Sequence, residues 1–208
     1  MHLLDNVKIW NAFRRALDWQ SGMYQKAETV IRRFGVDRTM SILDVGCGSG
    51  QYARLTDGEY LGIDSNPRYI AAAAQRYGNG RRKFLCARLQ EVDLSQRRFD
   101  VALLKDLTHH IADDDLRTML RGLANVTRLL VVLDPVQQSR GNWLGRILTA
   151  LDRGRFIRPK ERELELLRED FEIIRVNDVQ HFLTTEGIAV LARPKTTADA
   201  PDRLAATP

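Results

Sequence analysis

Short apolar runs alternate along the chain with segments that repeat apolar residues at helical spacing. The runs are rich in Val, Ile and Leu, which is typical of strands buried on both faces of a parallel sheet. They predict seven strands, at residues 42–45, 60–64, 83–86, 99–104, 128–135, 171–176 and 182–191. The alternation of strands and helices predicts an α/β fold.

Helical spacing begins in segment 7–34, which Gly22 divides into two predicted helices. Its apolar positions are Val7, Trp10, Phe13, Leu17, Met23, Ala27, Val30, Ile31 and Phe34. Further helices are predicted after Pro67, from Asp113, over 143–151 and over 160–170. The helix from Asp113 is expected to bury Leu116, Met119, Leu120 and Leu123.

A glycine-rich turn follows the first strand, in the sequence Ile-Leu-Asp-Val-Gly-Cys-Gly-Ser-Gly at 42–50. Three alternating glycines let a ligand come close to bare backbone. The spacing is G-x-G-x-G and not the dinucleotide fingerprint G-x-G-x-x-G, because Gln51 stands where the third glycine of that fingerprint would be. Residues 51–55 are expected to start a helix whose N-terminal amides face the ligand.

The second strand ends in Asp64, within Leu-Gly-Ile-Asp-Ser-Asn-Pro at 61–67. An acid at this place in a βαβ unit can accept hydrogen bonds from a ribose diol. Together the two stretches resemble motifs I and II of the class I S-adenosylmethionine-dependent methyltransferases, and the resemblance extends from the first helix to the last strand. The alternative is a nucleotide-binding loop of another α/β protein.

The resemblance implies a Rossmann-like three-layer sandwich, with a mostly parallel seven-stranded sheet whose last strand is antiparallel. It implies a helical lid over 1–40 and a cofactor-binding domain over 41–193. The tail 194–208 lacks apolar periodicity and is predicted to be disordered.

The resemblance also implies how S-adenosylmethionine is held. Asp44 and the backbone of Gly46, Cys47, Gly48 and Gly50 would hold its amino-acid part, and Asp64 its ribose. The remaining residues expected near the cofactor are Ser65, Ala87, Arg88 and Lys105.

The chain departs from the family after the third strand. An acid that binds the adenine amino group commonly stands there in the family, and Ala87-Arg88 hold that place here. Adenine recognition is therefore assigned to backbone groups at these two residues or to Gln90, with Glu91 and Asp93 as alternatives.

His109 and His110 follow the fourth strand, as in the family's fourth motif. Because ligands of open α/β sheets bind beyond the carboxyl ends of the strands, this pair is expected beside the transferred methyl group. An imidazole there can act as a general base, and the alternative is that the pair only packs the following helix. Asp134 ends the fifth strand and is a candidate for orienting a histidine or a substrate hydroxyl.

The acceptor is expected to meet two regions. One is the lid, through Trp10, Arg14 or Tyr24. The other follows the fifth strand, where Asp-Arg-Gly-Arg-Phe-Ile-Arg at 152–158 resembles a sequence of small bacterial methyltransferases. There Trp143 is expected to line the acceptor pocket, and Arg153, Arg155 or Arg158 to bind an anionic group. The alternative for these arginines is an ion pair with Asp152 or simple solvation.

Composition fits a soluble, cytoplasmic protein without a membrane span, at 44% hydrophobic and 28% charged residues. Two cysteines are too few for a disulfide framework, and the four histidines show no metal-ligand spacing. The net charge of +5 permits anionic partners without naming one.

The predicted activity is methylation of a small molecule by a monomer or homodimer, with an oxygen atom preferred over a nitrogen atom as the site of methylation. The alternatives are an RNA methyltransferase, disfavoured because Lys-Asp-Leu-Thr at 105–108 is not the Asn/Asp-Pro-Pro-aromatic motif, and an inactive methyltransferase-like partner protein.

Overall fold

A computed structural model gives the architecture of the chain, and it is described here for residues 22–151, 154–180 and 184–195. Seven strands form one sheet: β1 Ile42–Val45, β2 Tyr60–Asp64, β3 Arg82–Cys86, β4 Phe99–Lys105, β5 Thr127–Pro135, β6 Phe171–Gln180 and β7 Glu186–Pro194. The described ranges also contain five α-helices: α1 Met23–Arg33, α2 Pro67–Tyr77, α3 Asp113–Ala124, α4 Trp143–Leu151 and α5 Lys160–Asp170.

The strands follow the order β3-β2-β1-β4-β5-β7-β6. Strands β1 to β5 are parallel, while β7 runs antiparallel to both of its neighbours. The expectation of a mostly parallel sheet with an antiparallel last strand is thus confirmed. The chain order reverses between β1 and β4, so the carboxyl ends of these strands flank a crevice where ligands of such sheets bind.

Apolar residues cover both faces of the sheet and make the expected three layers. On one face, Leu43, Leu104 and Leu130 pack with α3 and α5. On the other face, Ile42 and Leu103 pack with α1. All four residues of the predicted α3 stripe are buried. Adjacent strand residues point to opposite faces, so these continuous apolar runs fill two cores at once.

Strands β3, β4 and β5 each differ by one residue from the sequence-based expectation, and three elements differ by more. The helix expected after the glycine turn is only a 3₁₀ helix, Gln51–Leu55, because the short connection from Gly50 back to Tyr60 leaves no room for more. Strand β6 is longer than predicted, and β7 begins at Glu186 and not at 182. The predicted helix before Gly22, and all but the start of the predicted disordered tail, lie outside the described residues.

The side chain of Leu120 is fully buried between α3 and the sheet, so substituting it tests the packing of this core. Leu120→Ala should lower the free energy of unfolding by about 3 kcal/mol, since it removes buried methyl groups and leaves a cavity. Urea denaturation measures the change. Arg121→Ala, at an exposed neighbouring position of the same helix, is the control and should change stability by less than about 1 kcal/mol. Equal losses in the two variants would contradict this packing.

Candidate active site

The glycine turn after β1 has the strained geometry that its sequence predicts. Gly46 and Gly50 adopt φ angles of 73° and 75°, a region that residues with a side chain rarely occupy. A Cβ at Gly46 would lie 2.9 Å from the Leu107 side chain, and one at Gly50 would lie 2.8 Å from Phe84. The turn therefore packs closely against its surroundings, and only glycine fits at these two positions.

Asp64 ties the end of β2 to this turn. One carboxylate oxygen accepts a hydrogen bond from the backbone N–H of Gly48 at 2.9 Å, and the other accepts one from Asn66 at 2.7 Å. Each carboxylate oxygen can accept a further hydrogen bond. The side chain also lines the neighbouring cavity, so it can bind a ligand while it holds the turn.

A cavity of about 710 Å³ opens at the carboxyl edge of the sheet, a volume suited to a small-molecule ligand. Its walls come from the ends of β1 and β2, segment 87–91, Leu107, segment 110–112, the first half of α3, and Phe156. The structure brings together six of the predicted site residues in these walls: Gly46, Asp64, Ser65, Ala87, Arg88 and His110.

Five other predicted cofactor residues are not part of these walls: Asp44, Cys47, Gly48, Gly50 and Lys105. The thiol of Cys47 is buried, and the buried ammonium of Lys105 lies 2.5 Å from a carboxylate oxygen of Asp106. Asp106 adopts a φ of 55°, which aspartate tolerates better than most residues, and it turns the chain out of β4.

Asp44 lies beneath the glycine turn and not in the cavity wall. Its carboxylate is buried and accepts a hydrogen bond from the hydroxyl of Tyr60 at 2.5 Å. Burial raises the pKa of Asp44 to about 7, and the charge of Asp64 adds to this, while Tyr60 and Lys105 act in the opposite direction. Tyr60 had no signal in the sequence beyond its apolar neighbours, because its hydroxyl meets Asp44 only through pairing of β1 with β2.

The segment after β3, for which the sequence predicts adenine recognition, contributes polar groups to the cavity wall. Gln90 and Glu91 both contribute to the wall. A carboxylate oxygen of Glu91 accepts a hydrogen bond from the backbone N–H of Arg88 at 2.9 Å. Asp93 is not a wall residue and instead accepts a hydrogen bond from the backbone N–H of Ser95.

The two histidines lie on a 3₁₀ turn, Thr108–His110, and they face different surroundings. His109 is only 2% exposed, whereas His110 is exposed and lines the cavity. Their ring centroids are 4.0 Å apart. Of the two predicted catalytic histidines, only His110 is therefore placed to touch a ligand in this cavity.

Asp134 holds the turn Thr108–His110 in place, which we call the histidine turn. Its carboxylate accepts hydrogen bonds from the backbone N–H groups of Leu107 and His109, at 2.8 and 2.9 Å, and from the Thr108 hydroxyl at 2.6 Å. One of its oxygens also lies 2.8 Å from Nδ1 of His109. Since Asp134 is completely buried, it orients a histidine and cannot bind a substrate hydroxyl.

Arg158 does not reach the cavity either. Its guanidinium is 6% exposed and is bound by the carboxylate of Asp113 and by backbone carbonyl groups of the histidine turn. The expected contact with an acceptor anion is therefore wrong for Arg158, because all of its donor groups point into the protein. Arg155 is exposed and outside the cavity wall, and Arg153 lies outside the described residues.

The other predicted acceptor residues are also outside the walls of this cavity. Trp143 is 68% exposed on α4. Tyr24 lies on α1, with its ring centroid 5.9 Å from that of Tyr52 in the 3₁₀ helix after the glycine turn. Trp10 and Arg14 lie outside the described residues. By contrast, Phe156 does line the cavity and was not singled out from the sequence.

No three His, Cys, Asp or Glu side chains within the described ranges cluster in a way that could hold a metal ion. None of the helices described here combines the length and the apolar composition needed to cross a bilayer.

The raised pKa of Asp44 generates a pH dependence of stability. The pKa is about 7 in the folded chain, whereas an aspartate in an unfolded chain has one of about 4. Between these values the folded protein holds a proton on Asp44 that the unfolded chain has lost, so the contribution of Asp44 to stability is greatest below about pH 4 and falls as the pH rises to about 7.

Asp44→Asn cannot titrate and should remove this component. The free energy of unfolding of the variant relative to wild type should rise by a few kcal/mol between about pH 4.5 and about pH 7.5 in urea denaturation. The comparison with wild type cancels the contribution of the other titrating groups. Parallel pH profiles for the two proteins would contradict the raised pKa.

Comparison with known protein sequences finds a similar domain in part of the chain. Residues 42–129 match a family described as a methyltransferase domain. Over 104 residues the chain is 28% identical to malonyl-acyl-carrier-protein O-methyltransferase of Acetivibrio thermocellus, in an alignment covering 47% of this chain and 35% of that protein. The aligned part thus spans about a third of the length of this curated relative.

Solved structures share the fold. A magnesium protoporphyrin IX methyltransferase of Synechocystis PCC 6803, with bound S-adenosylhomocysteine, is 19% identical with a TM-score of 0.67, over 91% of this chain and 96% of that one. The cyclase SpnF is 22% identical with a TM-score of 0.66, over 85% and 83%. The matched residues 42–129 include the glycine turn and strands β1 to β4, so this part of the chain is similar to a methyltransferase domain, and the solved structures share the fold.

Proposed function

We propose that this protein transfers the methyl group of S-adenosylmethionine to a small-molecule acceptor, on oxygen in preference to nitrogen. One observation carries the proposal. The glycine turn, the strand-end carboxylate Asp64 and the exposed imidazole of His110 all border the same cavity. This places the groups that would hold the donor beside a group that can accept a proton.

The residues present fit S-adenosylmethionine. Backbone at Gly46 borders the cavity without a side chain, as an approach by the amino-acid part of the donor requires. Asp64 can accept hydrogen bonds from the ribose hydroxyls. Apolar side chains of Leu89, Ile111 and Met119 offer surfaces for the adenine ring, with Gln90 as a polar partner for its amino group.

The missing family acid after β3 therefore does not leave the adenine side without polar groups. We assign adenine recognition to the segment 87–91, in which side chains and backbone both reach the wall. Asp44, Cys47 and Lys105 would support the glycine turn from below, since they do not border this cavity.

The donor, when bound, supplies a methyl group already activated on a sulfonium. The chain then has two tasks: it aligns an acceptor with that methyl group, and it takes up the proton that a hydroxyl acceptor releases. A ring nitrogen of His110 is the candidate proton acceptor. This need for proton removal is the reason for preferring oxygen, and the O-methyltransferase name of the aligned relative agrees with it.

Charges in the cavity wall bear on the class of acceptor. Among the described residues of the wall, Arg88 is the one Lys or Arg side chain, while Asp64, Glu91 and Asp115 contribute three carboxylates. This wall does not favour the anionic acceptor that the basic segment 152–158 suggested. We therefore propose an acceptor that is neutral where it meets this cavity.

Donor binding tests the first half of the proposal. Calorimetry should detect S-adenosylmethionine and S-adenosylhomocysteine binding to the wild type. Asp64→Ala should weaken both by at least about tenfold, since it removes charge-assisted hydrogen bonds to the ribose and frees the glycine turn. Asp93→Ala, which removes a carboxylate outside the cavity, is the control and should leave both affinities unchanged. Absence of heat with the wild type would refute the cofactor assignment.

Transfer needs its own test, because the cyclase SpnF has the same fold and fold alone does not decide the reaction. S-adenosylhomocysteine release is measured with a panel of small alcohols, phenols, carboxylic acids and amines. With a hydroxyl acceptor that is turned over, His110→Ala should lower kcat by about a hundredfold or more while S-adenosylhomocysteine affinity stays as in wild type. An unchanged kcat would exclude His110 as the base, and amine-only turnover would overturn the preference for oxygen.

A further inference from the structure

The histidine turn is held from both sides. Asp134 binds the N–H groups on one side of the turn. Arg158 binds its carbonyl groups on the other side: one guanidinium nitrogen donates to the carbonyl of Thr108 at 2.9 Å, and the other terminal nitrogen donates to the carbonyl of Ile111. The carbonyl of His109 between them accepts from the backbone N–H of Phe156 at 3.0 Å.

The guanidinium of Arg158 is itself fixed by carboxylates of two helices. Its Nε donates to Asp113 at the start of α3, at 2.8 Å, and an Nη lies 3.4 Å from a carboxylate oxygen of Glu163 on α5. The same Arg158 contact lowers the pKa of Asp113. Because the planar fork donates in several directions at once, one side chain links the turn to both helices.

Stability alone does not explain a buried carboxylate at position 163. Glu163 is 3% exposed, and its Oε1 has no hydrogen-bond partner. Burial, with the negative charge of Asp134, raises its pKa to about 7. Buried ion pairs contribute little net stability compared with apolar residues of similar size, and the neighbours Leu164 and Leu166 are buried without such a cost. The ion pair between Glu163 and Arg158 does, however, give the Arg158 guanidinium a defined geometry.

We propose that Arg158, held by Asp113 and Glu163, is a positioning residue that fixes the ring of His110 against the cavity by binding the carbonyl side of its turn. The proposal rests on the function proposed for His110. The role of Arg158 is different, however, because Arg158 positions the His110 ring, whereas the ring itself accepts the proton. Arg158 touches neither the donor nor the acceptor.

The matched pair Arg158→Lys and Arg117→Lys tests this. Both keep the positive charge, and Arg117 also connects α3 to α5, through Asp114 and Glu169, without touching the turn. A lysine ammonium cannot reproduce the fork that binds Asp113 and two carbonyl groups together. Imidazole signals are followed by NMR in wild type and both variants, and the four histidines of the chain allow assignment by substitution.

Arg158→Lys should shift and broaden the signals of His109 and His110, while Arg117→Lys leaves them as in wild type. Where an acceptor is known, Arg158→Lys should lower kcat by about tenfold or more, with S-adenosylhomocysteine affinity within about twofold of wild type. A folded Arg158→Lys variant with unchanged histidine signals overturns the proposal. The NMR measurement needs neither donor nor acceptor, so it stands even if the proposed methyl transfer fails.

Glu163→Gln provides a second variant of nearly equal volume in case Arg158→Lys does not fold. Above about pH 7, where Glu163 is ionised, it removes a negative charge that faces Arg158, Asp134 and His109. At about pH 8 the loss of this charge should loosen the guanidinium of Arg158, so the imidazole signals of His109 and His110 should shift from their wild-type positions. Unchanged signals for both rings in this folded variant would also overturn the proposal.

Discussion

The turn after β4, which carries both histidines, depends on the buried carboxylate of Asp134. It is completely buried and receives three hydrogen bonds from the turn after β4, and it also faces the ring of His109. Removing it would leave several buried donors without a partner, which costs more than the loss of a single exposed hydrogen bond. Because Asp134 ends β5, pairing of β4 with β5 brings the carboxylate to the turn.

The glycine turn after β1 is held in the same way, by a carboxylate at the end of the neighbouring strand. Asp64 ends β2 and binds the amide of Gly48 in the turn that follows β1. In both places, a carboxylate at the end of one parallel strand orders the loop that follows its neighbour. Parallel pairing aligns the carboxyl ends of adjacent strands, so one edge of the sheet collects these loops and the cavity forms between them. The glycine turn and the histidine turn are therefore both supported by the same edge of the sheet.

Arginines after β5 show how the same residue type serves different purposes within one segment. Arg158 is buried and holds the histidine turn, whereas Arg155, three positions earlier, is exposed. A buried guanidinium must have its donors satisfied, and Asp113, Glu163 and two carbonyl groups satisfy them here. Among the described residues of the cavity wall, carboxylates outnumber the single arginine, Arg88.

The sequence by itself determined the strands, most helices, the glycine turn and the carboxylates at the strand ends. These features follow from local periodicity and from the backbone demands of glycine, which neighbouring residues settle among themselves. Tertiary structure decided which of the adjacent histidines reaches the cavity, that Arg158 points inward, and that Tyr60 meets Asp44. Each of these depends on a contact between residues far apart in the chain, from 16 positions for Tyr60 to 50 for Arg158, and local patterns carry no information about such pairs.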